Sequence, residues 1–159
     1  MDSKVKLYLK RARTEMNMAT LLLKTSSNKI LSDFGIPEDE TFYSGVISHC
    51  YYSIFYSAKA MLLSKNIETE APEVHKKILG SFKEQFIDSG IFDMRLLLIY
   101  KKMIVKAEIL LEIFKIEKKK RGNFTYNTIA QANLEPANES IENAKTFFKH
   151  YNAYLTEEK

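Results

Sequence analysis

Glycine and proline are scarce, at five and three among 159 residues. An all-β protein needs many turns, and these two residues supply much of their chemistry, so that class is disfavoured. Cysteine occurs once, as Cys50. No internal disulfide can form, and a small disulfide scaffold is excluded. The start, Met1 to Arg13, is basic but has neither an apolar core nor a small-residue cleavage site, so it does not read as a targeting peptide. A reducing, cytoplasmic setting is the expectation.

Catalytic and cofactor motifs are also sparse. There is no Gly-rich phosphate loop and no dinucleotide fingerprint. No Glu-x-x-His pair occurs, so the usual di-iron helical bundle would lack its ligands. His49, His75 and His150 are far apart in the chain. With one cysteine they disfavour a zinc site, and neither a metal nor a cofactor is expected. The longest apolar stretch, Gly45 to Leu63, is broken by Ser48, His49, Ser53, Ser57 and Lys59. A membrane span wants ~20 predominantly apolar residues. A helix buried on several sides explains the stretch better, and no membrane partner is expected.

What is present is an ordinary globular composition, 45% apolar and 28% charged. The length suits a single domain over residues 1–159. The formal charge of +4 permits a nucleic-acid partner without demanding one.

Apolar periodicity predicts an all-α fold, a single up-and-down-type bundle of about five helices. Val5, Leu9, Ala12, Met16, Ala19 and Leu23 recur at steps of four and three and place a first helix over Ser3 to Lys24. The second covers Thr41 to Lys65, is apolar nearly all round, and is expected at the centre. Gly45, Ser53, Ala58 and Ala60 would let its neighbours come close. Pro72 opens the third, whose stripe is Val74, Ile78, Phe82 and Phe86, and Ser89-Gly90 closes it. Asp93 caps the fourth, with Leu97, Ile104, Ala107, Leu111 and Phe114 inward. The fifth opens near Asn133 and carries Leu134, Ala137, Ile141, Ala144, Phe148, Tyr151 and Leu155. Segments 28–41 and 66–71 read as mobile connections.

Charge is unevenly placed. Lys101 to Arg121 holds eight basic and three acidic residues, whereas Asp33 to Glu73 holds seven acidic and two basic. Lys118, Lys119, Lys120 and Arg121 crowd the end of the fourth helix, where they either compensate the helix dipole or attract phosphates. Cys50 reads as a small buried residue rather than a reactive thiol. His75, at a helix start, could meet a ligand phosphate or serve as a structural hydrogen-bond partner. His49 reads as a satisfied polar group inside the bundle or at an interface. Tyr51, Tyr52 and Tyr56 are either core and dimer seam or a stacking platform for bases.

The run from Gly45 to Leu63, with Tyr51-Tyr52-Ser53-Ile54-Phe55 leading to Ala58-Lys59-Ala60-Met61-Leu62, resembles the signature second helix of HEPN domains. Arg11-Ala12-Arg13 in the first helix, His75-Lys76 in the third, Arg121 preceding Tyr126, and Glu139 with Ala144 and Phe147 in the last follow in the family's order. The resemblance is to the short, stand-alone prokaryotic branch. It implies an all-α bundle that pairs with a second copy. Many members are encoded beside a minimal nucleotidyltransferase and form a toxin–antitoxin or related complex with it. Some members are metal-independent ribonucleases that use an Arg and a His separated by four to six residues.

Here Arg121 is followed by Gly122, Asn123, Phe124, Thr125, Tyr126 and Asn127, without a histidine. The resemblance therefore implies Arg121 and Tyr126 as phosphate or partner contacts, with no catalytic residue assigned. A HEPN-type binding module, a partner of a nucleotidyltransferase that contacts nucleotide or RNA phosphate, is the first expectation. A ribonuclease with an atypical site and a purely structural helical dimer are the alternatives.

Overall fold

The computed structural model describes residues 2–119 and 133–157, with side chains described for 2–110 and 133–156. Among these residues every regular element is helical. The order is α1 (Ser3–Thr25), a 3-10 segment (Lys29–Phe34), α2 (Tyr43–Ser64), α3 (Val74–Phe82), a π-helical continuation (Lys83–Asp88), α4 (Met94–Lys119) and α5 (Leu134–Glu157). No described helix is long and apolar enough to cross a membrane.

The centre of the bundle is α2, which packs against all four other α-helices. Twelve of its residues are buried, including Val46, Ile47, Ile54, Ala58, Ala60 and Leu62. Small residues set its distance from α1. Ala12 and Ala19 are fully buried there, and the Ser53 hydroxyl donates across the seam to the Ala12 carbonyl at 2.9 Å. A Cβ at Gly45 would stand 2.8 Å from Leu22 Cδ1, so the absence of a side chain lets the two helices approach. On the other side an aromatic cluster fills the core. Phe82 meets Phe86 and Phe147 at 5.4 Å each and Tyr100 edge-on at 6.0 Å. Such pairs contribute roughly 0.5–1.5 kcal/mol each beyond area burial.

Local chemistry sets the ends. The Asp2 carboxylate accepts from Lys4 N–H and caps α1. Asp93 accepts from Arg95 N–H at 2.8 Å, as its position before α4 predicted. Three expectations are corrected. Pro72 does not open α3, which starts at Val74, because Glu73 takes a left-handed backbone (φ 56°) that cannot belong to the helix. Segment 28–41 is not a plain connection. Its 3-10 turn is capped by Asn28, which accepts from Ile30 N–H, and stopped by Gly35 at φ 70°. Its far end is tied back by the Phe42 N–H, which donates to the Ser26 hydroxyl, and by the Glu40 carbonyl, which accepts from the Ser27 N–H. In α5 Ala137, Ile141, Ala144, Tyr151 and Leu155 are buried as the stripe predicted, but two of its members are not. Phe147 is 1% exposed, Phe148 only half-buried and Leu134 51% exposed. The same helix hides Ser140, whose hydroxyl donates to the Pro136 carbonyl.

Candidate functional site: an aromatic cavity between the second, third and fourth helices

Three helices frame a cavity of about 690 Å³. From α2 come Ser48, Tyr51 and Tyr52, and from α3 come His75, Lys76 and Leu79. From α4 come Ile104, Ala107, Glu108 and Leu110. The spacing explains this. Positions 48, 51 and 52 share one side of α2, 75, 76 and 79 the first turns of α3, and 104, 107 and 108 one face of α4. The size lies within the range of small-molecule sites, and apolar walls with a few polar groups are their usual chemistry.

His75 stands at the α3 start and closes one wall. Its ring lies over Phe55 at 4.2 Å between centroids with planes 25° apart. Its Nδ1 is 2.5 Å from the Tyr51 hydroxyl. Burial, then the charge of Lys59, hold His75 below the usual histidine value, which favours the neutral imidazole. Burial raises the Tyr51 phenol, with smaller contributions from Tyr52 and Glu108, so its proton stays on oxygen. Tyr52 is 39% exposed rather than buried, and bridges the Tyr51 and Tyr56 rings at 5.3 and 6.1 Å. Lys76 and Glu108 bring opposite charges to the lining.

His49 lies elsewhere. Its Nδ1–H donates across the α1–α2 seam to Glu15 at 2.6 Å, so it is a paired structural group and does not join His75. Arg11 and Arg13, the pair on the first helix, lie over the rings of Tyr56 at 4.8 Å and Phe148 at 5.9 Å. Cys50 is fully buried, and burial pushes its thiol up to about 12, the behaviour of an inert core residue.

Helix α4 extends to Lys119 and so includes Lys118 and Lys119 in its last turn. Their side chains, together with Lys120, Arg121 and Tyr126, lie outside the described residues. Upstream, part of the basic ridge is engaged. Lys102 and Lys106 both donate to Glu139 on α5, the latter at 2.8 Å. These two bonds hold the Glu139 carboxyl below its usual range. None of Ser48, Leu79, Ile104, Ala107 and Glu108 was expected at a site, although Ile104 and Ala107 read as inward positions of the fourth helix and Ser48 as a break in the apolar run of the second. Each fits an ordinary amphipathic pattern, and only the joint placement of three helices makes them a lining.

Two relatives match parts of the chain. Over 55 residues it is 40% identical to the protein named Putative toxin MJ0142 of Methanocaldococcus jannaschii, covering 35% of this chain and 35% of that one. Over 69 residues it is 32% identical to Putative toxin MJ0605 of the same organism, covering 43% of this chain and 46% of that one. The matched region thus spans less than half the length of either relative. No family model and no solved structure matches the chain. The chain is similar to toxin-like proteins and has an all-α fold.

Proposed function

We propose that the chain is a HEPN-type binding module of a toxin–antitoxin-like system, whose α2–α3–α4 cavity receives a nucleotide unit, free or within single-stranded RNA. The observation that carries this reading is the cavity. Aromatic and aliphatic walls suit a base, while His75 and Lys76 supply N–H groups suited to phosphate or carbonyl oxygen. Similarity to two proteins named as toxins supports the setting. The partner implied by the family resemblance is a minimal nucleotidyltransferase. Pairing of two copies has support from Met94, Leu98 and Val105 on α4, which are 50%, 57% and 53% exposed.

Cleavage is not part of this reading. Tyr126 stands where a histidine would be needed, and a phenol with an unperturbed pKa near ~10 is a poor base at neutral pH. The test is incubation of purified protein with a labelled single-stranded RNA in chelator, with binding and cleavage both followed. Binding without cleavage, weakened about threefold in Lys76→Ala at low salt, is expected. Failure to bind either this RNA or a free mononucleotide overturns the module reading. Chelator-resistant cleavage that disappears in Arg121→Ala would replace it with the ribonuclease.

A further inference from the structure

The Tyr51–His75 pair fixes more than a ring position. Tyr51 is 8% exposed, and the partner of its hydroxyl is His75 Nδ1. A phenol whose proton is held on oxygen can meet an imidazole nitrogen at this distance only by donating to it, so the Tyr51 O–H donates to Nδ1. A neutral imidazole with Nδ1 accepting carries its single proton on Nε2. Nε2 has no partner among the described residues, and the ring lines the cavity. The ring stacks on Phe55 at 4.2 Å and lies in the first turn of α3.

We infer that Tyr51 sets the His75 tautomer so that Nε2–H is presented to the cavity as a donor for a phosphate or carbonyl oxygen of a bound nucleotide unit. The ligand half of this inference rests on the function proposed above; the tautomer half stands on the Tyr51–His75 geometry. Tyr51 is thus a positioning residue, acting through His75. The charged and titratable groups near the imidazole are Lys59 and Tyr52 on α2, Lys76 on α3 and Glu108 on α4. The two lysines favour an oxygen acceptor, and Glu108, an exposed residue, is free to accept from an amino group of the ligand. A neutral donor does not need an imidazolium, so recognition continues above the histidine titration range.

The experiment reads the tautomer and the binding separately. Nitrogen-15 NMR of the imidazole, assigned with His75→Gln, reports the protonated nitrogen in the ligand-free protein. The probes are adenosine 5′-monophosphate, adenosine and a short single-stranded RNA, titrated at pH 8 by tyrosine fluorescence. The wild type is expected to show Nε2–H, and Tyr51→Phe a mixture of tautomers. Tyr51→Phe should weaken the monophosphate and the RNA by about threefold to tenfold and adenosine by less. In the His75→Gln background, where the donor has no tautomer, Tyr51→Phe should change nothing further. An Nδ1–H tautomer in the wild type, or one unmoved by Tyr51→Phe, overturns the inference. The expected tautomers without binding of any probe would leave the role of Tyr51 standing and overturn the nucleotide reading. Binding of the monophosphate but not the RNA assigns the site to a free nucleotide, and binding of both admits a strand; in either case the weakening by Tyr51→Phe supports the donor role.

Discussion

Glu15 and His49 join the first two helices by a 2.6 Å contact in which the imidazole donates to the carboxylate. Both side chains are partly screened from water, at 18% and 31% exposure. The pair lies beside a buried Ser53–Ala12 bond along the same seam, so it contributes to how α1 docks. Glu15→Ala leaves the imidazole access to water, and the expected cost is about 1 kcal/mol of unfolding free energy. His49→Ala should cost a similar amount, and the double substitution less than the sum, as contacting partners do. Strict additivity in urea denaturation would show that the contact contributes nothing.

Tyr100 tests the core in the opposite direction. It is fully buried, and its hydroxyl has no hydrogen-bond partner among the described residues. Burial raises the phenol well above its usual range. The ring packs edge-on against Phe82 and Phe147. Tyr100→Phe keeps that packing and removes an uncompensated polar group, so stability is expected to be unchanged or to rise by about 1 kcal/mol. A loss of more than about 1 kcal/mol on thermal or urea unfolding would show that the hydroxyl is satisfied.

The Cys50 thiol should be chemically silent in the folded protein. Burial lifts it to about 12 against the smaller pull of Lys106 and Lys145, so almost no thiolate forms at pH 8. A disulfide reagent such as DTNB is expected to react only after unfolding in urea. Stoichiometric reaction of the native protein within minutes would place Cys50 at an accessible site.

The helical fold was legible in the sequence because long apolar stripes at steps of three and four survive any packing arrangement. Val5, Ala12 and Ala19, then Ile78, Phe82 and Phe86, are buried where the pattern put them. The misses have local causes. Phe147 and Phe148 are adjacent aromatics, so periodicity allowed either to face inward, and the core took Phe147. Tyr52 read as core and dimer seam or as a stacking platform, and it borders a cavity that exists only once α3 and α4 are in place. His75 was visible as a polar residue at a helix start, but its partner Tyr51 lies 24 positions away, beyond the reach of spacing arguments.

His75 also gives stability a pH dependence of defined sign. Its native value is lowered, chiefly by burial, while the unfolded chain titrates near ~6.5. Between the two the unfolded state binds more protons, so stability increases with pH across that window. The contribution is complete above the unfolded value and is lost as pH falls through the native one. Urea midpoints measured from pH 7.5 to pH 5 should fall for the wild type and fall less for His75→Gln. Parallel curves would show that His75 titrates as freely in the native state as in the unfolded one.

The last prediction concerns the end of α4. Lys102 and Lys106 are committed to Glu139, so phosphate attraction along the ridge falls to Lys101, Lys115 and, most densely, the run Lys118 to Arg121. If that run engages phosphates, Lys119→Ala together with Arg121→Ala should weaken RNA or nucleotide binding. It should also flatten the salt dependence, because fewer counterions are released per complex. The rival reading gives these charges only the task of offsetting the helix dipole. It predicts a stability loss of up to ~1 kcal/mol and unchanged affinity at every salt concentration. Titrations of wild type and double variant at two salt concentrations, with unfolding measured on the same samples, separate the two. Equal affinities and equal slopes would remove the phosphate role and leave the cavity to account for any binding. A flattened slope with intact stability would place the RNA backbone along the end of α4.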